Sequence, residues 1–241
     1  MPYMRRDGDV FIVHLGAPGE QDSENRFHPD WLSGMNAILD EALASEGPAA
    51  LVTTGDGKHY STGADLAWCA GQPERADWYL TEVQQLFRRI LTLPMPVIAA
   101  LNGHTFGAGA FLAVAHDHRV MRADRGYLCF PGVSLGANYA YATVAMLRSR
   151  LPARIAHEAL VSGRRYGAAD ALAAGLVDAT AESDRVLPDA VEYARSLAHT
   201  RGPVLAEIKT ALHRHAVDAL QEPVVGYSDH ALIRRSETSS A

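Results

Sequence analysis

Val97-Ile98-Ala99-Ala100-Leu101-Asn102-Gly103-His104-Thr105-Phe106-Gly107-Ala108-Gly109-Ala110 is the stretch whose reading decides the fold. Its first five residues are apolar without alternation, the pattern of a strand buried on both faces. Pro94 and Pro96 stand before it, and Asn102-Gly103 supplies a turn. Ala110 to Ala115 is small and apolar, which suits a helix buried on most sides. A buried strand, a glycine-bearing loop and a buried helix make an α/β unit. The Gly107-Ala108-Gly109 pair does not extend to a dinucleotide loop, because that pattern needs a third glycine where Leu112 stands. The phosphate-loop pattern GxxxxGK[ST] is absent.

The same alternation runs outward. Upstream, Val10 to Leu15 reads as a strand, and Gly16 to Asn25 as a polar connection. Pro29 suits the first turn of a helix whose stripe is Trp31, Met35, Ile38, Leu39, Ala42 and Leu43. Ala49 to Thr53 is a second apolar strand, followed by the turn Gly55-Asp56-Gly57, and Trp78 to Leu91 is an amphipathic helix. Downstream, Arg119 to Met121 and Tyr127 to Phe130 read as strands. Helical patterns then cover Tyr139–Arg150, 153–161, 168–174, 189–199 and 204–215. The fold class is therefore α/β with a helical C-terminal portion.

Composition narrows the function. The chain has 241 residues, and 22 Lys plus Arg against 28 Asp plus Glu leave a net charge of −6. That balance argues against a dedicated nucleic-acid binder, which needs clustered cations to neutralise phosphates. A hydrophobic fraction of 48% with 21% charged residues supplies a sizeable core. Cys69 and Cys129 are too few for a disulfide framework or a cysteine metal site. His116-x-His118 and His213-x-His215 point their paired rings apart and lack acidic companions, so they read as hydrogen-bonded or solvated rather than metal-ligating. No run approaches the roughly 18 apolar residues of a membrane span, and no signal segment follows Met1 to Asp9. The expected address is cytoplasmic, and Ser239-Ser240-Ala241 does not resemble a peroxisomal tripeptide.

Three places offer chemistry. Gly132-Val133-Ser134-Leu135-Gly136 matches the nucleophile-elbow pattern, with Asp178 or Asp184 and His213 or His230 in hydrolase order. Five-residue matches of this kind also arise with no catalytic role. The other two places are glycine-bearing loops, Lys58-His59-Tyr60-Ser61-Thr62-Gly63-Ala64-Asp65-Leu66 and Asn102 to Ala110. Each precedes a helix and can present backbone N–H groups. Two such donors aimed at one oxygen form an oxyanion hole, worth about 3 kcal/mol per donor in the transition state. Each loop alone is equally a tight turn.

Taken together, the two loops resemble the signature of the crotonase superfamily of enoyl-CoA hydratases and isomerases. There [S/A]-x-G-x-D-[L/I] and N-G-x-x-x-G-x-G supply the donors for a thioester carbonyl. The resemblance runs from about Asp9 to Asp178 and includes Asp117, Leu135-Gly136 and Ala168 to Asp178. Arg26-Phe27-His28-Pro29, Ala50 to Gly55 and Arg122-x-Asp-Arg-Gly-Tyr-Leu look most similar to plant-type Δ3,Δ2-enoyl-CoA isomerases. It implies a spiral of ββα units over residues 1–185 and a C-terminal helical region over 186–241 that mediates trimerisation, with trimers often paired into hexamers. It also implies an acyl-CoA ligand, with the CoA thioester as substrate and no metal or other cofactor.

Carried over residue by residue, the resemblance makes Ala64 and Ala108 the backbone donors. Asp65 and Leu66 fall where the family meets the CoA adenine, and Arg26 near its phosphates. Phe111, Trp68, Phe130 and Tyr139 are expected along the acyl chain. The departures are in the acids. Phe111 and Gly132 stand where hydratases hold their two glutamates, and the loop Ala137-Asn138-Tyr139-Ala140-Tyr141, where some isomerases hold one, has none. Asn138 and Tyr139 are the candidate catalytic side chains, although a tyrosine near its usual pKa of about 10 is a poor base at neutral pH. The register puts Gly132 beside the substrate's α-carbon with an empty gap, and Ser134 on a strand. The expected function is binding an acyl-CoA thioester and stabilising its enolate in an isomerase- or hydratase-like role in fatty-acid or acyl-CoA metabolism. A non-catalytic acyl-CoA binder and a thioester hydrolase are the alternatives.

Overall fold

The structure is a computed structural model that describes residues 1–21 and 23–227. His230 and the Ser239-Ser240-Ala241 end lie outside the described residues. Six strands form the main sheet in the order Tyr3–Asp7, Val10–His14, Ala50–Thr54, Val97–Leu101, His118–Arg122 and Ala179–Ala181. The first pair is antiparallel and every other neighbour is parallel. Ala50–Thr54 and Val97–Leu101 are buried at all their positions, as strands covered on both faces must be. Tyr3–Asp7, within a segment read only as lacking a signal sequence, is the sheet's polar edge. Its exposed Arg5, Arg6 and Asp7 discourage pairing with other strands.

Three times the chain leaves this sheet through a turn, adds a short strand to a second layer and enters a helix. The units are Ala50–Thr54, His59–Ser61 and Leu66–Gly71, then Val97–Leu101, His104–Phe106 and Ala108–Ala115, then His118–Arg122, Leu128–Cys129 and Gly132–Leu135. The short strands pair with one another in a four-stranded sheet completed by Arg165–Tyr166. Repetition of the ββα unit therefore carries the starts of three helices toward one side of the molecule.

Pro29–Ala44, Ala76–Leu91 and Ala108–Ala115 pack into the main core with Phe27, Phe87, Phe111 and Phe130. Val186–Leu197 covers the other face of the sheet through Val186, Ala190, Val191 and Ala194 against Val52, Ile98 and Val120. The C-terminal helices are tied to the sheet by buried charge. Lys209 Nζ donates to Asp117 Oδ2 (2.6 Å) and Met95 O (2.9 Å), while the same Asp117 oxygen accepts the Val97 N–H (2.8 Å). His116 is fully buried and hydrogen-bonded to Thr53 Oγ1 (2.8 Å) and Leu112 O (2.7 Å).

Three expectations change here. Ser134 lies in the helical turn Gly132–Leu135 and not on a strand, because Gly136 closes that turn at φ 70° and returns its N–H to Gly132 O. The helix expected from Tyr139 begins at Tyr141, since Ala140 is extended at ψ 142°; Asn138 and Tyr139 therefore sit in a loop. The 204–215 helix is broken at His213 into Pro203–Leu212 and Arg214–Gln221.

Candidate active site

The two glycine loops interlock through backbone. Gly63 has φ 88°, and a Cβ there would stand 2.5 Å from Ala108 N and 2.8 Å from Gly109 N. Only glycine permits both the left-handed turn and that approach. Ser61 fastens the junction, donating from Oγ to Asn25 O (2.7 Å) and accepting the Gly63 N–H (3.0 Å). Gly107 turns at φ 54° into the helix that begins at Ala108. As the first helical residue, Ala108 has an N–H with no acceptor inside its helix. Asn25 is the only non-glycine with positive φ among the described residues, so alanine at 108 fits without backbone strain.

Ala64 and Ala108 share a cavity of about 160 Å3. Leu66, Phe111, Gly132 and Tyr139 also line it, as does Asn138 at its exposed rim. Leu80, Val83 and Phe87 bring the apolar stripe of the Ala76–Leu91 helix into the same wall. Thr143 and Tyr227 line it too, and no local pattern in the sequence pointed to either. Its polar side chains are Thr62, Asn138, Tyr139, Thr143 and Tyr227; no carboxylate is among the described lining residues.

Other expected contacts fall outside it. Trp68 packs on Tyr79 (5.1 Å between ring centres) and under the Arg75 guanidinium (5.3 Å), away from the cavity. Phe130 is fully buried behind Phe111 at 4.8 Å. Neither lines the cavity, because each side chain packs within its own layer. Arg26 is exposed and paired with Glu24, not a lining residue. Asp65 caps its helix, accepting the Trp68 N–H (3.0 Å), and its own N–H goes to Tyr79 Oη (2.7 Å).

The gap expected at Gly132 is filled. A Cβ on Gly132 would stand 2.6 Å from Tyr139 Cζ and 2.6 Å from Ala137 O. The Gly132 N–H donates to Tyr139 Oη at 2.6 Å. Burial pushes the Tyr139 phenol up to about 12, so it is protonated at neutral pH. Among the described residues the hydrolase constellation is not assembled. Asp178 is engaged by Arg119 (3.0 and 3.1 Å), His213 lies against Arg150 (3.4 Å), and no described histidine or carboxylate hydrogen-bonds Ser134. Among them too, no group of three or more His, Cys, Asp or Glu is placed to hold a metal. A polar cavity of about 570 Å3 beside Asp56, Lys58, Arg122 and Arg125 contains none of these site residues.

A spiral of three ββα units whose glycine loops meet at one cavity defines a protein of the enoyl-CoA hydratase/isomerase family. The family model of that description matches residues 9–231, and the chain belongs to the family. Peroxisomal enoyl-CoA delta isomerase 2 of Arabidopsis thaliana is 35% identical over 222 residues, 87% of this chain and 91% of that protein. The solved enoyl-CoA isomerase of Mycobacterium tuberculosis superposes with a TM-score of 0.82 at 28% identity, covering 91% of this chain and 94% of that one. Human mitochondrial Δ3-Δ2-enoyl-CoA isomerase shares the fold at a TM-score of 0.86 and 19% identity, over 99% and 96% of the two chains. No described helix is long and apolar enough to cross a membrane.

Proposed function

We propose that the chain binds an acyl-CoA thioester with its carbonyl oxygen between the backbone N–H groups of Ala64 and Ala108, and stabilises the enolate that forms when a proton leaves the α-carbon. The observation that carries this is the backbone contact of the Gly63 and Ala108–Gly109 loops at the head of one apolar cavity. Preorganised amide dipoles stabilise the growing negative charge without reorganising. Asp65, Leu66 and Arg26 lie on the side from which the CoA moiety approaches in this reading. The reaction class is that of an enoyl-CoA isomerase, with Asn138 and Tyr139 as its polar side chains; neither is a base at neutral pH, so in this reading solvent water takes the C2 proton and a proton returns to C4 from solvent. Isomerisation moves one proton between C2 and C4, whereas hydration needs an acid and a base in addition to water. Incubation with 3-enoyl-, 2-enoyl- and saturated acyl-CoA, following isomer, hydrated product and free thiol, tests the assignment. Isomer alone is expected; free thiol as the main product would replace it with hydrolysis.

A second reading, a non-catalytic acyl-CoA binder, is favoured by the absence of a carboxylate from the described cavity wall. Binding without any product in that assay would select it. Further copies of the chain are proposed to cover the Pro203–Leu212 helix. Its Val204, Ile208 and Leu212 recur every four residues and are 64%, 51% and 71% exposed. Such a stripe is unusual on a monomer's surface. Light scattering distinguishes the proposed trimer or hexamer from a monomer. The cytoplasmic address belongs to the same proposal and is checked by cell fractionation.

A further inference from the structure

The site cavity does not end in bulk protein. It backs onto a second cavity of about 390 Å3, and Asn138, Tyr139, Ala140 and Tyr227 line both. Those four residues are the partition. Tyr139 is immobilised by the Gly132 N–H at 2.6 Å and by its edge-on contact with Phe111 at 4.9 Å. The main chain at Tyr227 is fixed as well. The Asp77 carboxylate accepts the N–H groups of Gly226 (2.8 Å) and Tyr227 (2.7 Å), and Thr81 Oγ1 accepts that of Val224 (2.9 Å). Gln84 Nε2 donates to Glu222 O (2.7 Å) and Leu220 O (3.1 Å). The 222–227 segment is thus strapped along the Ala76–Leu91 helix whose Leu80, Val83 and Phe87 line the site.

We infer that this partition restricts the site to short acyl chains of about four to six carbons, with Tyr227 as the residue that stops the chain. The inference rests on the acyl-CoA reading above. An apolar cavity of about 150 Å3 accommodates the six carbons of benzene, and the space here is about 160 Å3. A longer chain has to pass into the neighbouring cavity. Of the four partition residues, Asn138 is exposed at the rim, Ala140 is small and Tyr139 is pinned at its hydroxyl. Tyr227 is the other large side chain common to the two cavities, so its removal joins them.

The test is calorimetric binding of saturated acyl-CoAs of two to ten carbons to the full chain. Each methylene removed from water strengthens binding about fourfold. The native chain is expected to gain affinity up to about six carbons and then to level off. Tyr227→Ala is expected to keep gaining, so that decanoyl-CoA binds on the order of 10²-fold tighter than to the native chain. Tyr227→Trp is expected to move the plateau to shorter chains. A native profile that rises steadily through ten carbons, or identical profiles in all three proteins, overturns the inference. Hexanoyl-CoA binding no tighter than free CoA would instead overturn the acyl-CoA reading beneath it.

Discussion

Gly132→Ala adds one methyl group at a crowded position. The new Cβ arrives 2.6 Å from Tyr139 Cζ, 2.7 Å from its Cε2 and 2.6 Å from Ala137 O. All are closer than real contacts allow, so the ring must move or the turn must open. Displacing a packed group costs about 1–3 kcal/mol, and bending the Gly132 N–H to Oη bond costs roughly another 1 kcal/mol. About 3 kcal/mol in a chain of this size lowers Tm on the order of 6–12 °C. Tyr139→Ala removes the ring, but in that background the same methyl still meets the Ala137 carbonyl oxygen at 2.6 Å. Only the part of the cost owed to the ring and its hydrogen bond, about 1–2 kcal/mol, should then disappear, and it shows as a coupling of that size in a double-mutant cycle. Urea unfolding of the four proteins measures it, and simple additivity would refute the argument that the phenol occupies this space. The freed volume also permits a functional test. Gly132→Glu in the Tyr139→Ala background puts a carboxylate where the phenol was, and desolvation raises its pKa toward a useful range. A gain of about 10² in 3-enoyl-CoA isomerisation is expected. A folded double variant that binds acyl-CoA yet gains nothing would reject Gly132 as the place from which a proton is moved.

Ala108→Pro deletes one proposed donor at a helical position that tolerates proline; an enolate analogue should bind on the order of 10²-fold more weakly, with free CoA barely affected. Asp117→Ala strands the buried Lys209 ammonium and should cost about 3–5 kcal/mol by urea unfolding, with partial recovery on adding Lys209→Met. Burial holds His116 down to about 3 and His213 to about 4, the latter helped by Arg150. Both are neutral in the fold and take up protons on unfolding below about pH 6.5, so stability should fall as pH drops from 6.5 toward 4. At pH 5 the loss is on the order of 2 kcal/mol for each; denaturation midpoints that stay flat between pH 7 and 5 would contradict it.

The buried Val97–Leu101 strand was legible because continuous apolarity is a local property. The two glycine loops were legible for a related reason: each needs glycine at a fixed distance from a strand end and a helix start, and spacing along the chain records that. Ser134 shows where such reading stops. Pro131-Gly132-Val133-Ser134-Leu135-Gly136 carries too little periodicity to separate a strand from one helical turn, and the Gly136 closure decided for the turn. The polar edge strand Tyr3–Asp7 was invisible for want of an apolar face, its register coming from pairing with Val10–His14.

By its own sequence the protein determined the succession of strands and helices, the family signature and the absence of acids from Phe111, Gly132 and the 137–141 loop. Those are matters of residue type and spacing. Only the tertiary structure decided what fills the space beside Gly132, because the chain turns back on itself between Gly132 and Tyr139 and brings the phenol there. It also decided that Lys209 closes on Asp117 across 92 residues, and that Asp77 holds the Tyr227 strap across 150. Contacts of that separation leave no periodic trace in the chain, since they depend on which surfaces the packed helices bring within a few ångströms of each other.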